Sequence, residues 1–158
     1  MPELARSLRL RPFVLADAGT IEPWLSAPGL TLPAGRLRSQ WPQRLLAVGH
    51  IKVLVAELHG RRIGFVRLDC GPDDIAEITL VVAPGMRRGG LGSAMFLTAL
   101  QQARALRLRG LVASVDLANT TALAFFDAQG FRPEGVVGGR VRMWRFVHAG
   151  DHAAPLDV

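Results

Sequence analysis

Apolar and polar positions along this chain alternate with two different periods, and the switches between them mark the elements. From Leu8 to Phe13 apolar residues stand between arginines at every second position, which predicts a strand with one face toward a core. Asp17 is placed to cap a helix reaching Trp24 or Leu25, and Ser26-Ala27-Pro28-Gly29 ends it. Pro33 and Pro42 interrupt the stretch from Thr31 to Val48, so one or two short helices with a mobile loop are expected there. The runs Ile51 to Leu58 and Ile63 to Leu68 flank a His59-Gly60-Arg61 turn and read as a hairpin, followed by a further strand from Ile75 to Ala83. Strong helix formers then run from Gly92 to about Leu108, apolar through Leu100 and more polar beyond it. A short strand, Leu111 to Val115, precedes a helix capped by Asn119, running to Gln129 and ended by Gly130. Phe131 to Val137 and Arg140 to Val147 form a last hairpin across Gly138-Gly139. The order of strand, helices, three strands, helix, strand, helix and hairpin predicts a mixed α/β domain around one central sheet.

Length and composition narrow the class. The 158 residues, 49% of them hydrophobic, fit a single domain with a real core, expected over residues 1–148 with a poorly ordered tail at 149–158. No apolar run approaches the ~20 residues of a membrane helix, and the start of the chain, with Glu3 and Arg6, lacks a signal-peptide layout; a cytoplasmic protein without a membrane partner is expected. Cys70 is the single cysteine, so no internal disulfide or cysteine-based zinc site can form. His50, His59, His148 and His152 lack metal-ligand spacing, and no metal is expected. The formal charge of +6 rests almost wholly on arginine, since Lys52 is the single lysine, and favours an anionic partner. Dispersed arginines and the absence of tyrosine argue against nucleic acid, which leaves a phosphate-bearing cofactor or a compositional bias toward arginine.

The richest local pattern runs from Leu80 to Ser93: an apolar strand end, Pro84-Gly85-Met86, then Arg87-Arg88-Gly89-Gly90-Leu91-Gly92-Ser93 opening a helix. Small residues let backbone approach an anion, a helix start offers free N–H groups, and two arginines add charge. It is not a dinucleotide fingerprint, because Gly90-Leu91-Gly92-Ser93-Ala94-Met95 lacks the third glycine. It is not a nucleotide-hydrolase loop either, because Leu91 and Gly92 stand where Lys and Ser/Thr belong.

What remains, Arg87-x-x-Gly90-x-Gly92 after a Val82-x-Pro84 strand end, resembles the acyl-CoA motif of the GNAT acyltransferase superfamily. A second motif of that superfamily, Asn-x-x-Ala-x-x-Phe/Leu-Tyr-x-x-x-Gly-Phe, is matched from Asn119 to Phe131 except that Phe126 replaces the tyrosine. The resemblance spans roughly residues 8 to 147 and implies a single-domain GNAT-like fold, with a mixed central sheet of about six to seven strands flanked by about four helices. It implies that the backbone of Leu80, Val81 and Val82 binds the pantetheine arm of acetyl-CoA. Arg87, Arg88, Gly89, Gly90, Leu91, Gly92 and Ser93 would hold the pyrophosphate, and Asn119 would reach the pantetheine from the neighbouring strand end. The implied activity is acetyl transfer from acetyl-CoA to a primary amine, by direct attack in a ternary complex. The acceptor class extends over small metabolites, antibiotics and protein N-termini, a homodimer is allowed, and a non-catalytic acyl-CoA-binding module is the alternative.

Transfer requires a base for the amine and tolerance of a leaving thiolate. Glu77 is the candidate base, one residue out of register with relatives that carry the acid where this chain has Ala76, so a bulge is expected if it faces the cleft. Ser114 occupies a second position used for a catalytic glutamate in some relatives, and Asp69, Asp73, Asp74 and Asp116 are read as turn or surface residues. Phe126, which the resemblance counts among the residues of the CoA site, stands where relatives carry the tyrosine acid, so protonation of the thiolate falls to water or, weakly, to Ser114. Trp24 and Trp41 could wall an acceptor pocket but are expected in the core, and Trp144 reads as packing.

Overall fold

The computed structural model describes residues 6–26, 41–86 and 90–148. The expected loop within 27–40, the tail at 149–158 and the residues Arg87, Arg88 and Gly89 lie outside the described residues. The strands are β1 (Leu8–Pro12), β2 (Ile51–Leu58), β3 (Arg61–Cys70), β4 (Ile75–Val82), β5 (Gly110–Asp116), β6 (Arg132–Val137) and β7 (Arg140–Phe146). The described α-helices are α1 (Ala18–Ile21), α2 (Trp41–Ala47), α3 (Leu91–Ala105) and α4 (Thr120–Ala128), with 3-10 turns at Leu15–Asp17, Glu22–Ser26 and Pro84–Met86. Pro42 falls in the first turn of α2, where its missing N–H costs nothing.

All seven strands join one sheet in the order β1-β2-β3-β4-β5-β7-β6. Every pairing is antiparallel except β4 with β5, which is parallel and requires α3 as its crossover. Both sequence-expected hairpins close on two-residue turns with positive φ, at His59 (51°) and Gly60 (78°) and at Gly138 (59°) and Gly139 (76°).

The period-2 pattern divides the core between the two faces of the sheet. On one face Val66, Leu68, Ala76, Ile78, Leu111 and Ala113 pack under α3 through Met95, Phe96 and Ala99, together with Phe126 and Phe131 of the α4 region. On the other face Val53, Val55, Phe65 and Val81 pack under Phe13, Ile21, Trp24 and Trp41. The sheet approaches α3 so closely at Gly64 that a Cβ there would stand 2.4 Å from the Met95 side chain and 3.0 Å from the Val81 carbonyl.

Asp17 departs from its expected role. Its side chain does not cap α1; it is fully buried and receives Arg11 in a bidentate pair at 2.7 and 2.8 Å, Arg62 Nε at 2.7 Å and the Val14 N–H at 2.9 Å. Two guanidinium groups are stronger partners than a helix amide, so the carboxylate turns inward and joins the N-terminal helices to β1 and β3. The Arg11 guanidinium, aided by Val14 and Arg62, holds the Asp17 carboxyl well below the usual carboxylate range against the opposing effect of burial. Because its folded pKa lies below the unfolded value of about 3.9, the stability it contributes is present above that value and is lost as pH falls below it. Replacing Asp17→Asn should cost about 3 kcal/mol at neutral pH, because Arg62 loses its carboxylate and Arg11 keeps only Glu57 at 3.0 Å. The same variant should flatten the fall in stability between about pH 5 and 2, read by chemical denaturation across pH.

Candidate active site

The parallel pairing of β4 with β5 covers Ile75 with Gly110, Ala76 with Leu111 and Glu77 with Val112, and goes no further. Beyond Glu77 the two strands have no paired positions, while β4 remains paired with β3 as far as Val82 and β5 with β7 as far as Asp116. The sheet is therefore split from Glu77 and Val112 toward the C-terminal ends of both strands.

Hydrogen bonds at the ends of the β3–β4 ladder set its phase. Ala83 N–H donates to the Ile63 carbonyl at 2.9 Å and Gly71 N–H to the Ile75 carbonyl at 2.8 Å. In an antiparallel ladder the bonded positions alternate, so Glu77, Thr79 and Val81 turn their backbone groups to β3 while Ile78 and Leu80 face β5; the Ile78 N–H closes the last paired position with Val112, and Leu80 turns both its groups into the split. Leu80 thus offers a backbone donor and acceptor to an extended amide chain.

The helix opened by the glycine cradle begins at the end of this edge. Gly90 is the N-cap of α3 with φ of 78°, a left-handed conformation that glycine adopts without strain. Leu91 is buried and anchors the helix start, and the first amides of Leu91, Gly92 and Ser93 lie in the first turn, where helix geometry gives an amide no intrahelical partner. A Cβ on Gly92 would come 3.1 Å from the Phe125 ring, and the Ser93 hydroxyl accepts from Gln129 Nε2 at 3.0 Å. Both contacts seat the first turn of α3 against α4. An extended amide followed by an anion fits this arrangement: a free strand edge leads to a helix N-terminus whose dipole favours negative charge.

Glu77 lies on the same face as Thr79 and Val81, opposite α3, and is exposed at the last paired position before the split. The β3–β4 register runs without a shift from Gly64–Val82 to Cys70–Ala76, so the bulge expected for a cleft-facing Glu77 is absent from that ladder. Cross-strand from it is Asp69, which pairs with Arg67 and His50 at 3.4 Å each. Ser114 is on this face too, but its hydroxyl accepts from Arg140 Nε at 2.8 Å. Asn119 caps α4, its Oδ1 accepting from Ala122 N–H at 3.1 Å. Phe126 is 8% exposed and stacks edge-to-face with Phe125 at 5.3 Å and Phe131 at 5.0 Å, within the core under α3. Trp41 is buried, its indole N–H donating to Glu22 Oε1 at 2.9 Å, and Trp24 is buried beside it.

Near the Pro84–Met86 turn, which leads into the cradle, lies a cavity of about 560 Å³ lined in part by Thr20, Trp24, His59, Arg61, Arg62 and Met86. Among the described residues no group of three or more His, Cys, Asp or Glu side chains could hold a metal, and no helix is long and apolar enough to cross a membrane. The sequence reading had singled out neither Arg140 nor Gln129. Their contacts to Ser114 and Ser93 join positions 26 and 36 residues apart, and no local periodicity signals such pairs.

A family model described as the acetyltransferase (GNAT) family matches residues 20–131. An uncharacterised N-acetyltransferase of Methanocaldococcus jannaschii is 32% identical over 96 residues, covering 56% of this chain and 42% of that protein. The chain thus matches less than half the length of that curated relative. In fold, the chain is similar to the Vibrio cholerae spermidine N-acetyltransferase in complex with CoA and spermine, with a TM-score of 0.77 and 19% identity over 89% of this chain and 96% of that one. It is also similar to a ribosomal-protein-alanine N-acetyltransferase from Brucella melitensis, with a TM-score of 0.68 and 23% identity over 87% and 99% of the two chains.

If Gly90 is required for its left-handed conformation, Gly90→Ala should cost about 1 kcal/mol in stability. It should also weaken CoA binding several-fold by calorimetry, whereas Gly85→Ala, where a Cβ meets nothing within 4 Å, should leave the fold intact.

Proposed function

Because the matched residues 20–131 make up well over half of the chain, it belongs to the GNAT acetyltransferase family, and on that premise we propose that it transfers an acetyl group from acetyl-CoA to a primary amine. Small metabolites, antibiotics and protein N-termini make up the acceptor class. The observation that carries this reading is the split between β4 and β5, with the Leu80 backbone edge leading to the Gly90-capped start of α3.

The thioester supplies an activated carbonyl carbon and a stable thiolate leaving group. In this reading the amine nitrogen bonds to that carbon, the C–S bond breaks, and the electron pair leaves on sulfur as CoA thiolate. The chain's part is to align the reactants. Leu80 holds the pantetheine amides by strand-type hydrogen bonds, the α3 amides with Arg87 and Arg88 hold the pyrophosphate, and an amide on the β4 edge polarises the carbonyl. Asn119 stands at the far strand end to meet the pantetheine. Glu77, exposed on the opposite face of β4 at the head of the split, takes the amine proton directly or through one water.

Phe126 gives the alternative some weight. It carries no proton where the family motif has tyrosine, and its ring is packed into the core, so an acyl-CoA-binding module without turnover is the second reading. Calorimetry with acetyl-CoA and with CoA at micromolar to millimolar protein tests binding, and release of free thiol over an amine panel tests turnover. Saturable binding with amine-dependent thiol release is expected, with Glu77→Gln lowering kcat by about 10²-fold or more and leaving the KM for acetyl-CoA unchanged. Absence of binding would overturn the whole reading, and binding without release for any amine would favour the second.

A further inference from the structure

Arg140 is the second residue of interest at the split. It starts β7 opposite Asp116, and its side chain crosses β5 on the face that also carries Glu77 and Ser114. There it is held at two points: Nε donates to the Ser114 hydroxyl at 2.8 Å and Nη2 to the Ser114 carbonyl at 2.7 Å. The phase of the β5–β7 ladder decides where that carbonyl points. Leu117 N–H donates to the Gly139 carbonyl at 2.9 Å and Val147 N–H to the Arg109 carbonyl at 2.8 Å, so the odd-numbered residues of β5 face β7 and Ser114 faces β4. The guanidinium therefore sits beyond β5, over the split.

A guanidinium has five N–H donors, and these two bonds use two of them. Among the described residues Arg140 has no acidic partner. Its arginine neighbours on this face do: Arg142 is neutralised by Glu134 at 3.0 Å and Arg67 by Asp69 at 3.4 Å, whereas Asp116, cross-strand from Arg140, turns Oδ1 to the Ala118 N–H at 2.9 Å. A cation fixed at two points, half-buried and left with donors free is preorganised for a planar anion. Glu77 lies on the facing strand, where the strands are still one spacing of ~5 Å apart before they diverge. An acid at the head of the split and a cation fixed two residues further along the opposite strand, on the same face, match a molecule that carries an amine at one end and a carboxylate a few bonds away.

We infer that Arg140 determines acceptor specificity by binding a carboxylate, so that the acceptor is an amino acid or similar aminocarboxylate rather than a polyamine. This rests on the acetyltransferase reading above. In the complex Glu77 takes the amine proton while Arg140 sets the reach of the amine toward the thioester.

The test is thiol release from saturating acetyl-CoA by the whole protein, with matched acceptors: glycine against glycinamide, L-leucine against L-leucinamide, β-alanine against its amide, and spermidine alone. At neutral pH the less basic amines of the amides hold the larger fraction of free base, which offsets their lower nucleophilicity, so a strong preference for the carboxylates does not come from amine reactivity. At least one pair should favour the carboxylate by about 10-fold or more in kcat/KM, the size expected of a charge-assisted bond. Arg140→Ala should abolish that preference by raising KM for the carboxylate, with kcat for the amide and KM for acetyl-CoA unchanged. Arg140→Lys should keep part of the preference and Arg140→Glu should reverse it. If Arg140→Ala fails to fold, Ser114→Ala, which removes one of the two tethers, should raise KM for the carboxylate alone. Equal or better use of the amides or spermidine, a preference that survives Arg140→Ala, or no turnover of any pair by protein that still releases thiol with other amines would each overturn this inference alone. Failure to bind acetyl-CoA would instead remove the reading beneath it.

Discussion

The end of parallel pairing at Glu77 and Val112 is the constraint on which the rest of the molecule depends. Two adjacent strands normally satisfy each other's backbone groups along their whole length, because a buried unpaired amide or carbonyl is costly. Here β3 holds β4 to Val82 and β7 holds β5 to Asp116, so the strands stay extended after they part. The result is a pair of rigid, half-satisfied edges. One of them, through the Ile78 carbonyl and both backbone groups of Leu80, is a template for an extended amide, which is the logic of strand addition applied to a cosubstrate.

That split also separates two chemistries by face. The helix α3 leaves the end of β4, and its buried apolar residues, Leu91, Met95, Phe96 and Ala99 among them, press it onto one face and fix where its N-terminus points. The charged side chains Arg67, Asp69, Glu77 and Arg140 belong to the other face. An anionic carrier and an amine can thus approach the same opening from opposite sides, with the sheet between their charges. Asp17 anchors the second face by tying the N-terminal turns to Arg11 on β1 and Arg62 on β3.

Much of this was legible in the sequence. Strand and helix order followed from period and from Gly and Pro placement, and the cradle was readable because glycine at position 90 has a local conformational cause, φ of 78°. Asn119 was legible as a cap for the same reason, since its partner, Ala122, is three residues away. The sequence-based role of Asp17 was wrong because its partners, Arg11 and Arg62, are brought to it by strand pairing that no local pattern encodes. The need for a bulge at Glu77 was argued from spacing alone. The facing of a strand residue depends on both neighbouring ladders, and where one of them stops is a tertiary property. Arg140 and Ser114 meet only because β5 and β7 are neighbours.

The central claim is that the Leu80 backbone faces the split and binds the extended arm of CoA, and amide hydrogen exchange of the whole protein resolved by NMR tests it most directly. Without ligand, the amide of Leu80 should exchange faster than those of Thr79 and Val81, which the β3 ladder protects, and than that of Ile78, which the last pairing with β5 protects. With saturating CoA the Leu80 amide should slow by at least about tenfold while Thr79 and Val81 stay as they were. A Leu80 amide already as protected as Val81 without ligand, or unchanged at saturation, would contradict the account.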